Sequence, residues 1–366
     1  MTQKKVFISP KKYIQGAGVL NQIGEEIAKI GNSPLVLSDS NVWGITGSTI
    51  EESFKASNTS YFYEEFNGES SNAEMDRLTK VGKDKNADVV IGLGGGKTID
   101  TAKAVGDTLG IPVVVAPTTA STDAPTSSLS VVYSDEGVFE GYKFYNKNPD
   151  LVLIDSKVVV GAPIFLLASG MGDAMATLVE ARASQKRNSD TMAGGKATLA
   201  AQAIAEKAEK VLFDQGIAAY RAAKKGLVTP QVEAIIEANT LLSGLGFENG
   251  GVAAAHAVHN GFTALEGEIH HLTHGQKVAY GVLTQLVLEG YSETEILRYA
   301  SFFKEIELPT TLKDLHLEDA TYEDLIKIGK LATAAGETSH NMNPELTPEQ
   351  IADAILAVNE ITTANL

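Results

Sequence analysis

A glycine-rich break between an apolar run and a helical pattern constrains this chain more than any other segment. It lies in Asp88-Val-Val-Ile-Gly-Leu-Gly-Gly-Gly-Lys-Thr-Ile-Asp-Thr-Ala-Lys103. Val89 to Ile91 reads as a buried parallel strand, and Ile99, Ala102 and Val105 fall on one face of a helix. Gly94, Gly95 and Gly96 stand between them. Strand, glycine turn and helix together offer free backbone N–H groups to a phosphate. Glycine also lets a ligand approach the backbone closely. Lys97 sets a positive charge at the helix start, against the helix dipole, and a bound anion would account for it. Two familiar phosphate motifs do not fit. The mononucleotide P-loop would require glycine where Ile91 stands, and the dinucleotide fingerprint would require it at Lys97 or Ile99. The alternative is a tight turn with no ligand.

Around this unit, apolar runs and helical stripes alternate. Strands are expected at 5–9, 34–38, 61–63, 112–116 and 151–154. Helices are expected along Leu20, Ile23, Ile27 and Ile30, then up to about Lys55, and over 73–83. This rhythm predicts a parallel sheet covered on both faces. Residues 129–133 and 138–144 flank Ser134-Asp-Glu-Gly137 and read as a hairpin. Ligands of open α/β sheets sit beyond the C-terminal strand ends. Asp39, residues 94–97 and residues 118–123 all stand at such ends and are expected to face one crevice. From about Ala162 strand-like runs disappear. Helices are expected over 177–184, 196–213, 231–245 and 278–288, with capping boxes at Ser292/Glu295 and Thr347/Gln350. The fold expected is thus an α/β N-terminal domain with a parallel, Rossmann-like sheet over 1–161, then an all-α C-terminal domain over 162–366.

The chain has no cysteine, so thiolate sites and cysteine nucleophiles are excluded, and a tight metal site must use His, Asp and Glu. A net charge of -16 disfavours nucleic acid and anionic membranes. No run reads as long enough to cross a bilayer, and residues 1–5 lead into a strand-like segment without a signal peptide's apolar stretch. A cytoplasmic location is the expectation, and a small neutral substrate suits this charge better than a polyanion.

Five of the seven histidines lie between His256 and His274. His256 with His259, or His270 with His274, has the spacing of a two-ligand clip on a helix. In one straight helix His256 and His274 would be about 27 Å apart. With Gly261 and Gly267 between them, two helices are expected, whose ends could converge on one ion. Asp173 reads as the N-cap of a helix.

Taken together, Gly94-Gly-Gly-Lys-Thr-Ile-Asp100, Pro117-Thr-Thr-Ala-Ser-Thr-Asp123, Gly172-Asp173, His256 and Thr273-His274-Gly275 resemble the iron-containing (type III) alcohol dehydrogenase family over nearly the whole chain. The resemblance implies a dehydroquinate synthase-like fold, NAD along the glycine loop, and a divalent metal held by Asp173, His256 and His274. It implies cofactor contacts from Asp39, Gly96, Lys97, Asp100, Thr118, Ser121, Ser127, Leu129 and Tyr133. Asp123 would lie near the substrate hydroxyls, and His271 could relay a proton to solvent. The metal ligands would meet the substrate too. Iron-using members carry a histidine four residues after the Asp ligand, where this chain has Thr177. A three-ligand site with open positions suits catalytic zinc. The implied reaction is NAD-dependent oxidation of glycerol or related vicinal diols, glycerol becoming dihydroxyacetone. The implied assembly is a homo-oligomeric ring, an octamer being one form.

Two rival readings remain at this level. Dehydroquinate synthase and glycerol-1-phosphate dehydrogenase resemble this architecture but take phosphorylated substrates, and residues 241–275 contain no Lys or Arg. A non-catalytic NAD- and metal-binding protein would more often close its zinc with four ligands.

Overall fold

The computed structural model describes residues 3–366. Its strands are β1 (Tyr13–Gly16), β2 (Pro34–Ser38), β3 (Phe62–Glu65), β4 (Val89–Gly94), β5 (Val113–Pro117), β6 (Leu129–Tyr133), β7 (Phe139–Phe144) and β8 (Leu151–Asp155). Helices α1 (Ile23–Ile27), α2 (Ser40–Ala56), α3 (Asn72–Asp84), α4 (Gly96–Leu109) and α5 (Ser156–Gly161) alternate with them. The remainder is helical: α6 (Ile164–Arg187), α7 (Leu199–Ala223), α8 (Pro230–Glu237), α9 (Ser243–Gly250), α10 (Ala254–Gly261), α11 (His274–Leu288), α12 (Glu293–Glu305), α13 (Tyr322–Ala332) and α14 (Pro348–Asn365).

Six strands form one sheet in the order β1-β8-β5-β4-β2-β3, every pair parallel. The four inner strands are buried along their whole length, as a sheet covered on both faces requires. Because all strands run one way, Asp39, the glycine turn and Thr118 follow the C-terminal ends of three adjacent strands. The hairpin β6–β7 is antiparallel and forms a separate small sheet. The α/β fold and the helical C-terminal region agree with the sequence.

The chain crosses between two compact units more than once. The α/β unit comprises Ser9–Pro163 and Ala223–Leu241; the helical unit takes the residues up to Ile8, Ile164–Ala222 and Leu242–Leu366. The single boundary expected at 161/162 lies close to one of these crossings. The return segment containing α8 belongs to the sheet unit because Gln15 donates to the Glu233 carboxylate at 2.6 Å and Asn239 donates to the Ala120 carbonyl at 2.9 Å.

Local differences have identifiable causes. Residues 5–9 do not form a strand. Lys5 makes one isolated bridge to Lys196, and the Asn249 amide takes up both the N–H and the carbonyl of Ile8. The stripe beginning at Leu20 is a 3-10 turn (Val19–Gln22) followed by the short α1. The helix expected over 231–245 is α8, a π-helical segment and α9 in succession. The expected helix 177–184 begins much earlier, as α6, so Asp173 is inside a helix rather than at its start. By length and composition α6 could cross a membrane, contrary to the expectation of no such run, but 83% of its apolar window is buried within the protein.

Candidate functional site

Helices α6 and α11 meet at two glycines. A Cβ on Gly172 would lie 2.5 Å from the Gly275 carbonyl oxygen, and one on Gly275 would lie 1.7 Å from that of Ser169. No larger residue fits at this crossing without moving a backbone. Each glycine adjoins a functional side chain, so the crossing delivers Asp173 and His274 to the same place. Gly275 N–H donates to Ser169 Oγ, and Thr273 with Gln276 closes a capping box at the start of α11.

Helix α10 brings His256. Its first four N–H groups have no partner within the helix. Glu180 on α6 accepts from Ala253 and His256 N–H, and Gln285 on α11 accepts from Ala254 and Ala255 N–H. Two neighbouring helices thus fix the end of α10 that carries His256.

The resulting cluster is compact. Ligand atoms of Asp173, His256 and His274 all lie within 4.8 Å of one another. Asp173 Oδ1 is 3.3 Å from His256 Nε2 and 3.2 Å from His274 Nε2. Ligands at about 2.0–2.1 Å from a tetrahedral zinc lie about 3.3 Å from one another. The three groups therefore fit one divalent ion by spacing and by donor type. His256 Nδ1 faces Glu180 Oε2 at 2.6 Å. A carboxylate there accepts a hydrogen bond from His256 Nδ1–H, and this tautomer leaves the Nε2 lone pair for a metal. Burial pushes the Asp173 carboxyl upward, but the two imidazoles, His274 foremost, outweigh it and hold it well below the usual carboxylate range. Burial pushes His256 down, yet Glu180 and then Asp173 hold it well above an ordinary imidazole.

Other expected positions fall elsewhere. Thr177 is buried, its hydroxyl 2.9 Å from Ser243 Oγ and its methyl against Gly246. No fourth protein ligand enters the cluster among the described residues. His270 does not pair with His274; it donates to the Leu265 carbonyl. His271 is exposed on the 3-10 turn Glu268–His271, outside the three-residue cluster. His259 Nε2 lies 3.1 Å from His274 Nδ1, behind the cluster.

The glycine loop in the α/β unit is built from backbone. A Cβ on Gly92 would lie 2.7 Å from the Ala102 Cβ, so β4 and α4 touch directly. No side chain caps the start of α4, and nothing lies within 4 Å of a Cβ placed on Gly95. An uncapped helix start behind an open glycine is the arrangement that fits a dinucleotide's phosphates. Gly96 is similarly open, with Thr122 at 3.7 Å. Lys97 bonds Glu69 at 2.6 Å and lies 5.2 Å from the Tyr133 ring centroid. Asp39 Oδ1 caps α2 by accepting from Asn41 and Val42 N–H. Thr118 is buried at the end of β5, and Thr119 shares a hydroxyl contact with Ser121. Asp123 precedes the 3-10 turn Ala124–Thr126.

Asp100, Ser127 and Leu129 converge on a residue that sequence reading passed over. The buried Lys103 ammonium donates to Asp100, Ser127 Oγ and the carbonyls of Ala124 and Leu129. Asp100 also accepts from Val131 N–H. Burial pushes the Asp100 carboxyl up, against the pull of Lys103. These groups tie the 124–131 segment to α4. Glu180 was missed as well, although it stands seven residues after Asp173, two helical turns along the same face.

Comparison with known proteins adds to this geometry. Residues 10–156 match the model for the iron-containing alcohol dehydrogenase family. The chain is 47% identical to a glycerol dehydrogenase of Escherichia coli O6:H1 over 97% of each chain. It is 44% identical to a glycolaldehyde reductase of Halobacterium salinarum, again over 97% of each. The crystal structure of glycerol dehydrogenase from Schizosaccharomyces pombe superposes with a TM-score of 0.96 at 42% identity, covering 99% of this chain and 92% of that one.

Proposed function

The chain belongs to the iron-containing alcohol dehydrogenase family of oxidoreductases, and from that premise we propose that it oxidises glycerol and related vicinal diols with NAD and zinc. The observation that carries the reading is the Asp173/His256/His274 cluster, whose spacing suits one ion and whose ligand count suits a catalytic site left open to substrate. The 47% identity to a glycerol dehydrogenase supports the substrate. The absence of Lys and Arg over 241–275 counts against a phosphorylated one.

A divalent ion bound here would supply Lewis acidity, lowering the pKa of a diol hydroxyl toward neutrality. NAD would supply the hydride acceptor. The chain's own groups do the rest. Glu180 keeps His256 in the ligating tautomer. The first turn of α4, with Gly96 and Lys97, binds the pyrophosphate, flanked by Thr118, Ser121 and Tyr133. Asp100, Ser127 and Leu129 act through the segment that Lys103 secures. Asp39 accepts from ribose hydroxyls and repels a 2′-phosphate, so NAD is preferred over NADP. Asp123 orients a free hydroxyl. His271, exposed to water, passes the proton on. We further propose a cytoplasmic homo-oligomer.

Metal analysis followed by NADH production tests this directly. Glycerol and propane-1,2-diol should support turnover that chelation removes and zinc restores better than iron. Comparable rates with NADP would remove the role given to Asp39. If glycolaldehyde reduction exceeds glycerol oxidation in kcat/KM, the activity of the Halobacterium relative's name, glycolaldehyde reduction, is the better reading.

A further inference from the structure

The two imidazoles of the cluster are supported differently. His256 has a carboxylate at its back. His274 has another imidazole, His259, whose Nε2 lies 3.1 Å from His274 Nδ1. Behind it, His259 Nδ1 is 3.1 Å from Asn260 Oδ1, and Asn260 Nδ2 donates to both oxygens of Glu337, at 3.2 and 3.5 Å. We infer that Glu337 sets the direction of this hydrogen-bond chain and, through Asn260 and His259, holds His274 in the tautomer that can bind a metal. The inference rests on the metal reading above.

The direction is set by which groups can donate and which can only accept. An ionised carboxylate only accepts, so Asn260 must turn its NH2 toward Glu337 and its carbonyl toward His259. His259 then carries its proton on Nδ1 and presents Nε2 as an acceptor. His274 must in turn donate from Nδ1, which leaves the Nε2 lone pair facing Asp173. Reversing the amide reverses every link. It sets the Asn260 carbonyl against the carboxylate and moves the His274 proton to Nε2, where a metal cannot bind. Metal-ligating imidazoles commonly pass their second N–H to a carboxylate or carbonyl. Here the carboxylate stands three links away, and the intervening polar groups transmit its direction. Glu337, Asn260 and His259 are positioning residues, since they act through His274.

The test uses the full chain stripped of metal, with zinc alone as probe and a chromophoric chelator as competitor. Glu337→Gln keeps shape but can donate as well as accept, so the direction is no longer enforced. It should weaken zinc binding by about tenfold, the lower end for groups behind a ligand. Asn260→Asp combined with Glu337→Gln moves the carboxylate one link nearer His274 and restores the direction; zinc affinity should recover to within about twofold of wild type. The melting temperature of each metal-free protein separates a purely structural role, which would shift stability without this recovery. Wild-type affinity in Glu337→Gln, or no recovery in the double variant, overturns the relay while the metal reading stands. A wild-type chain that takes up no divalent metal overturns both.

Discussion

The glycine turn of the α/β unit and the cluster of the helical unit handle polar groups in opposite ways. At the turn between β4 and α4 the groups proposed to bind phosphate are backbone N–H groups, with no side-chain cap at the helix start. At the cluster they are side-chain atoms, held by further side chains on α6, α10 and α11. The first site is made by subtraction and is injured by adding atoms. The second is made by convergence and is injured by removing them.

Substitutions can break this contrast. His256→Ala should have the largest effect: loss of metal and a fall in kcat/KM of about 10³-fold or more, roughly 4 kcal/mol, with NAD binding preserved. Metal content and equilibrium NAD titration check it; a variant that keeps its metal and near-normal rate removes His256 from the ligand set. Glu180→Gln should lower zinc affinity by about 10–100-fold, seen in chelator competition, since it loosens both His256 and the end of α10. Gly92→Ala adds one methyl where only 2.7 Å is open to Ala102. It should destabilise by about 1–3 kcal/mol and weaken NAD binding severalfold, leaving zinc affinity unchanged. An equal loss of zinc would end the contrast between the two regions.

A pH titration sharpens it further. Without metal, His256 sits between Glu180 and Asp173 and its pKa is raised well above an ordinary imidazole. Its charged form therefore contributes stability that is fully present below the unfolded-state pKa and is lost as pH rises through the folded value. Zinc competes with that proton, so affinity should rise with pH by up to about tenfold per unit until His256 is neutral. The open glycine turn has no such group in its backbone, and NAD affinity should change less over the same range.

How much the sequence disclosed follows the same division. The buried inner strands were legible because each is a short apolar run flanked by turn residues, and Pro34–Ser38 is found where it was expected. Helix ends were less so. Asp173, after Gly170 and Gly172, looks like a cap at a helix start, but Gly172 serves the crossing with α11 and the helix runs through. The cluster was legible in its residue types, with the family resemblance naming the three that meet. Its supports were not. Glu180 is hidden in an alanine-rich stripe, and Glu337 is remote in sequence from the histidine it governs. Hydrogen bonds between distant segments leave no local periodicity to read. Lys103 escaped for a different reason: a lysine on a helix is expected to be solvated, and this one is buried among carbonyls.

The contact between Gly172 and Gly275 bears on how such a centre can change over time. With main chain resting on main chain, the backbone span from Asp173 to His274 is set whatever rotamers the side chains around it adopt. Residues around the rest of the centre can be exchanged without resetting that span. The crossing works as a fixed gauge, and diversity of substrate can accumulate around it while the demand on the metal stays the same.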